Sequence, residues 1–97
     1  MMEKQSDEEG WWRFLNMCQQ VESAADFDAI FHVFLTFEER EALAKRYWIL
    51  RELLKEERTQ REISAKFKVS IAKITRGSNE LKQTDEKVKA MLRELMT

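Results

Sequence analysis

Between residues 58 and 82 the chain carries seven cations, Arg58, Arg61, Lys66, Lys68, Lys73, Arg76 and Lys82, against two carboxylates, Glu62 and Glu80. Residues 1–57 have the opposite balance, seven cations against thirteen acids, and residues 83–97 are even. A compact basic segment of this kind can neutralise phosphate charge, and an acidic frame around it disfavours indiscriminate binding to nucleic acid. Catalytic chemistry has far less to work with. Cys18 and His32 are the only cysteine and histidine, so an internal disulfide is impossible and the usual zinc-ligand sets are missing. Cys18 reads as a small apolar side chain and His32 as a packing or surface residue. With no nucleophile set beside a base, neither an enzyme nor a metal or other cofactor is expected.

Within the basic segment, Thr59 to Asn79 (TQREISAKFKVSIAKITRGSN) has the pattern of a helix-turn-helix. Ile63, Phe67, Val69 and Ile74 are the apolar positions that hold two short helices at a fixed crossing, and Ser64 is small where the helices come closest. Such a unit presents the start of its second helix to the major groove of DNA. Ser70, Ile71, Ala72, Lys73 and Thr75 then face base edges or their hydration. Gln60, Arg61, Ser64 and Lys66 lie along the phosphate backbone, with Lys82 a further DNA contact at the far end of the second helix. An ordinary helical hairpin meets the same apolar spacing, and the basic balance is what favours DNA. Lys68 occupies the turn position where glycine is favoured for its tolerance of positive φ.

These two helices need a frame to hold them. The chain has 97 residues, no proline and only two glycines, Gly10 and Gly77, so helix is the default reading. Trp11, Phe14, Leu15, Cys18 and Val21 recur at helical spacing and mark a first helix. Asp26 is the expected N-cap of a second, whose Phe27, Ala29, Ile30, Phe31, Val33, Phe34 and Leu35 are apolar on nearly every side and place it centrally. Thr36 with Glu39 has the spacing of a capping box and opens a long helix to about Lys55. Its apolar line, Leu43, Tyr47, Leu50, Leu53 and Leu54, is widened by Ala44 and Trp48. Thr59 with Glu62 repeats the box and opens a short helix through about Phe67. Ser70 caps the next, through roughly Lys82, and Thr84 or Asp85 caps a last one carrying Val88, Met91, Leu92 and Leu95.

The fold class is therefore all-α, six short helices in a single domain over residues 1–97. That much apolar surface exceeds what a small bundle hides, so an intertwined homodimer is expected, with 11–57 and 84–97 as its core and 59–83 as the helix-turn-helix reading head. Neither end has an apolar run long enough to span a bilayer, and the expectation is a cytoplasmic protein without a membrane partner.

Three stretches, Leu35-Thr36-Phe37-Glu38-Glu39-Arg40-Glu41-Ala42-Leu43, Thr59-Gln60-Arg61-Glu62 and above all Ile74-Thr75-Arg76-Gly77-Ser78-Asn79, resemble the tryptophan repressor family. The resemblance runs from about Trp11 to the end. It implies a transcriptional repressor of tryptophan-related genes that binds double-stranded operator DNA as a homodimer, with L-tryptophan as a reversible corepressor. In the pocket it implies, Arg46 and Arg76 sandwich the indole ring, a role suited to guanidinium planes that stack and still donate hydrogen bonds. Arg76, or the N–H of Gly77, meets the ligand carboxylate, and Gly77 leaves room for the ring. Carbonyls at Val33 and Leu35, aided by Thr36, receive the ammonium at a helix C-terminus. Glu80, one turn beyond Arg76, stands where a small or hydroxyl residue is more usual, and it would either repel the ligand carboxylate or pair with Arg76. The turn Lys55-Glu56-Glu57-Arg58 also lacks a glycine seen in some relatives. Two other readings stay open: a helix-turn-helix regulator that answers to another ligand or to none, and a helical interaction module whose basic face meets an acidic protein.

Overall fold

The structure, a computed structural model, describes residues 6–96 as six α-helices, with no strand among them. Helix α1 (Asp7–Gln19) is capped by Ser6, whose Oγ accepts the Glu9 N–H at 3.0 Å. It starts four residues before the first apolar position, because an acidic first turn of Asp7, Glu8 and Glu9 favours a helix N-terminus without contributing to the apolar period. Helix α2 (Ala24–Phe34) is capped by Ser23, which accepts the Asp26 N–H at 3.1 Å. Asp26 thus lies in the first turn instead of at the cap expected for it. Helix α3 (Phe37–Lys55) follows a connection of two residues, Leu35 and Thr36, and is the longest element.

Helix α4 (Gln60–Phe67) begins with the reciprocal box expected from Thr59 and Glu62. The Glu62 N–H donates to Thr59 Oγ1 at 3.2 Å and the Thr59 N–H donates to Glu62 Oε1 at 3.0 Å. Ser70 caps α5 (Ile71–Lys82) by accepting the Lys73 N–H at 3.2 Å, and Asp85, of the two candidates, caps α6 (Glu86–Leu95) by accepting from Lys87 at 2.7 Å.

Two compact units make up the chain, one through Phe37 and one from Glu38 onward. In the first, Phe14 of α1 packs on two rings of α2, Phe31 at 6.0 Å and Phe34 edge-on at 5.1 Å between centroids. In the second, Ile49 of α3, Ile63 of α4, Val69 of the connection and Ile74 of α5 form the buried core, with Leu53 and Phe67 against it. Ile63 and Ile74 are fully buried, so the crossing of α4 and α5 is set by the four apolar positions that the spacing singles out, with Phe67 at the margin. Trp48 of α3 stacks on Phe67 at 5.3 Å and 15° between planes, which adds an aromatic contact between α3 and α4.

Helices α1, α2 and α6 contain no fully buried residue. Val33 on α2 is 83 % exposed and Leu95 on α6 is 74 % exposed, with Phe34, Phe37, Leu43, Val88 and Met91 also on the surface. Among the described residues of a single chain, α2 is therefore not enclosed.

Candidate functional site

Helices α3 and α5 of the second unit enclose a cleft of about 170 Å³. Ala42, Lys45, Arg46 and Ile49 line it from α3, and Lys73, Arg76 and Gly77 line it from α5. The α3 residues are spaced three, one and three apart, a single helical face, and the α5 residues three and one apart, likewise one face. The structure thus brings together Arg46 and Arg76, thirty residues apart in sequence, at one opening. It adds Lys45 and Lys73, so four cations and no carboxylate line the cleft. Lys45 Nζ is paired with Glu41 at 3.0 Å across one turn of α3. Arg46, Lys73 and Arg76 are exposed side chains without an ion pair among the described residues. Three unpaired cations around a small apolar floor of Ala42 and Ile49 can hold a flat molecule that carries a carboxylate.

Gly77 is needed for helix packing. A Cβ added there would stand 3.0 Å from Ile49 Cγ2, with Leu53 and Leu50 methyl carbons at 3.6 and 3.7 Å. The missing side chain lets α5 close directly on α3, and Gly77 also lines the cleft. Glu80 is exposed, does not line the cleft and forms no ion pair with Arg76. Val33, Leu35 and Thr36 belong to the first unit: Val33 is exposed on α2, and Leu35 is the C-cap, its N–H donating to the Phe31 carbonyl at 2.8 Å.

The α4–α5 pair presents the residues picked out for DNA in several distinct ways. Ser70, Ile71, Ala72, Lys73 and Thr75 are exposed at the start of α5, and Ile71, 45 % exposed, is a large apolar side chain facing water on a helix end. Thr75 Oγ1 donates to Gln60 Oε1 at 3.2 Å, so a residue of each helix is tied into one polar edge. Arg61 and Lys66 are exposed on α4, with Lys66 Nζ 5.4 Å from the centre of the Phe67 ring. Ser64 has a structural part, because its hydroxyl donates to the Val69 carbonyl at 2.7 Å and closes the turn. Lys82 lies away from these, beside Lys89 and Arg93 in a separate recess with Leu53, Leu54 and Leu81.

The connection between the two helices contains the strained residue foreseen there: Lys68 has φ 54° and ψ 46°, left-handed, and its N–H donates to the Ser64 carbonyl. Glu56, between α3 and α4, has φ 58°. Both ends of α4 are therefore turned by a non-glycine residue in a conformation that favours glycine. An ion cluster that the sequence reading did not find sits at the first of these corners. Glu52 is 4 % exposed and accepts from Arg58 Nε at 2.9 Å, with Arg51 Nη1 at 3.4 Å and Lys55 Nζ at 3.9 Å. Arg51 also lies 5.5 Å from the centre of the Trp48 ring. The carboxyl of Glu62 is held below its ordinary value of 4.5, first by the Thr59 backbone N–H and then by the Thr59 hydroxyl.

Among the described residues no helix is long and apolar enough to cross a membrane, and no group of three or more His, Cys, Asp or Glu side chains could hold a metal ion. Residues 9–96 match the family model described as Trp repressor protein. The chain is 49 % identical over 94 residues to a Trp operon repressor homolog of Chlamydia caviae, covering 97 % of this chain and 93 % of that one. It is 47 % identical over 89 residues to the homolog of Chlamydia trachomatis serovar D, covering 92 % and 95 %. It is 42 % identical over 86 residues to the homolog of Vibrio cholerae, covering 89 % and 84 %.

Proposed function

The chain belongs to the Trp repressor family, and from that premise we propose that it represses transcription by binding operator DNA in response to L-tryptophan. The observation that carries this reading is that one helix, α5, supplies both a wall of the cationic cleft, through Lys73, Arg76 and Gly77, and an exposed leading end, Ser70 to Thr75. A ligand held between α3 and α5 fixes the angle at which that end is offered. The indole ring lies between the Arg46 and Arg76 planes, where cation–π attraction and stacking act together. The carboxylate meets Arg76 and its cationic neighbours.

DNA selectivity follows from the same geometry. The exposed Ile71 and Ala72 offer apolar contact in the major groove, the Thr75–Gln60 pair offers a fixed donor and acceptor, and Arg61 and Lys66 meet phosphates. In this reading two copies associate through the uncovered apolar faces of α2, α3 and α6. Two recognition helices then reach successive major grooves when their separation matches one turn of B-DNA, about 34 Å. Tryptophan stabilises the spacing that fits, and so shifts the population toward the binding form.

The test is electrophoretic retardation of palindromic duplexes from the promoters of tryptophan genes, with competitor DNA present and tryptophan as the variable. Retardation that appears with tryptophan and is lost without it is the expected result. Equal retardation in both lanes would leave a ligand-independent DNA binder, and none in either would remove the repressor reading.

A further inference from the structure

Lys73 falls in two sets at once. It lines the cleft beside Arg46 and Arg76, and it stands exposed on the first turn of α5, three residues after the cap Ser70, among the residues that lead the helix. We infer that Lys73 is the residue through which ligand and DNA are coupled: its ammonium holds the ligand carboxylate from the cleft side and a DNA backbone phosphate from the outer side. The inference rests on the repressor reading and says how its two binding events are joined.

Charge is the first support. Of the four cations around the cleft, Lys45 has Glu41 as its partner at 3.0 Å, while among the described residues Arg46, Lys73 and Arg76 have none and no carboxylate lines the cleft. Like charges gathered at one opening repel, and the positive end of the α5 dipole adds to the field at Lys73. Repulsion among these cations therefore disfavours an inward Lys73 ammonium. A ligand carboxylate reverses the sign of the local field and anchors it.

The type of cation matters too. A guanidinium laid against an aromatic ring is committed to one plane, whereas an ammonium has three donors on a flexible stem and can bridge oxygens belonging to two different molecules. Arg46 and Arg76 suit the ring, and Lys73, at the border between cleft and leading surface, suits the bridge. Two other lysines serve as internal references. Lys45 lines the cleft from α3, away from the leading end of α5, and Lys66 is exposed on α4 outside the cleft.

The experiment compares Lys45→Gln, Lys66→Gln and Lys73→Gln in the full chain, all at exposed or half-exposed positions where the fold is retained, as circular dichroism would verify. L-tryptophan is titrated by calorimetry without DNA and with saturating operator duplex, and operator affinity is followed against salt. Lys73→Gln is expected to weaken tryptophan about three- to fivefold without DNA, as for an exposed charge contact. It should also flatten the salt slope by about one phosphate's worth, ~0.9. The ratio of the two tryptophan affinities should shrink by about fivefold or more. Lys45→Gln should weaken tryptophan with the salt slope unchanged, and Lys66→Gln should flatten the slope with tryptophan affinity unchanged. Lys73→Gln behaving like either reference would overturn the inference while leaving the repressor reading intact. No tryptophan binding by the unaltered chain would overturn both.

Discussion

Replacing Arg58 with alanine tests whether the α3–α4 corner is held by charge. Glu52 is almost fully buried, and its shortest contact is the 2.9 Å hydrogen bond from Arg58 Nε. Removing one partner of a buried ion pair costs about 3–5 kcal/mol, because the other charge is left without compensation. Two features lower that figure here. Arg51 and Lys55 remain at 3.4 and 3.9 Å, and the Arg58 side chain is 37 % exposed, so water already screens part of the attraction. A loss of about 2 kcal/mol follows for Arg58→Ala, a downward shift of about 1 M in the urea midpoint. Glu52→Gln keeps the volume and removes the charge, and should cost about 1–2 kcal/mol, since Arg58, Arg51 and Lys55 lose their shared anionic partner. The double variant should cost less than the sum by about 1 kcal/mol, as residues in one network do not add. Urea unfolding followed by circular dichroism at one fixed protein concentration measures all four species. Arg58→Ala within about 0.5 kcal/mol of the unaltered chain, or full additivity, would show that the corner is held by packing alone.

The two left-handed residues that bracket α4 give a prediction of opposite sign: Glu56→Gly and Lys68→Gly should each raise stability by up to about 1 kcal/mol, the relief of φ 58° and φ 54° being partly offset by the greater freedom of glycine in the unfolded chain. Unfolding midpoints check this, and destabilisation of both would refute the assignment of strain. Gly77→Ala should destabilise by about 1 kcal/mol although alanine is the better helix former, because its methyl would stand 3.0 Å from Ile49 Cγ2. It should also weaken any ligand of the cleft, and gain of stability would show that α5 can shift freely on α3. The Glu62 carboxyl is depressed in the folded chain, so its contribution is present above the unfolded value of 4.5 and is lost as pH falls through its lower folded value. The midpoint difference between the unaltered chain and Glu62→Ala should accordingly be full at neutral pH and vanish on acidification, and a difference that persists in acid would contradict the capping role.

What the sequence made legible was local. The Thr59–Glu62 box, the Ser70 cap and the positive φ at Lys68 were all readable because each is fixed by residues within four positions of one another. The cap of the second helix was misplaced: Asp26 was expected there, but Ser23, three residues earlier, stands outside the helix and Asp26 lies in its first turn. Lys45 and Lys73 were missed as cleft residues because lining depends on how α3 and α5 cross, which no single helical face specifies. Glu52 was hidden for a similar reason. It is a carboxylate next in line to Leu53 and Leu54, and its burial depends on Arg58 folding back from beyond the helix end. The arginines 46 and 76 came from resemblance, and the cleft places them at one opening. The uncovered α2 shows the limit of reading one chain, since an all-round apolar helix predicts that it is enclosed without saying by what.

The linkage between the cleft and the leading end of α5 is measured most directly by titrating L-tryptophan into the chain alone and into its operator complex. Reciprocal coupling requires tryptophan to bind more tightly in the complex, by the same factor by which it strengthens operator binding. Equal tryptophan affinity with and without operator would contradict the coupling, whatever the strength of either interaction taken singly.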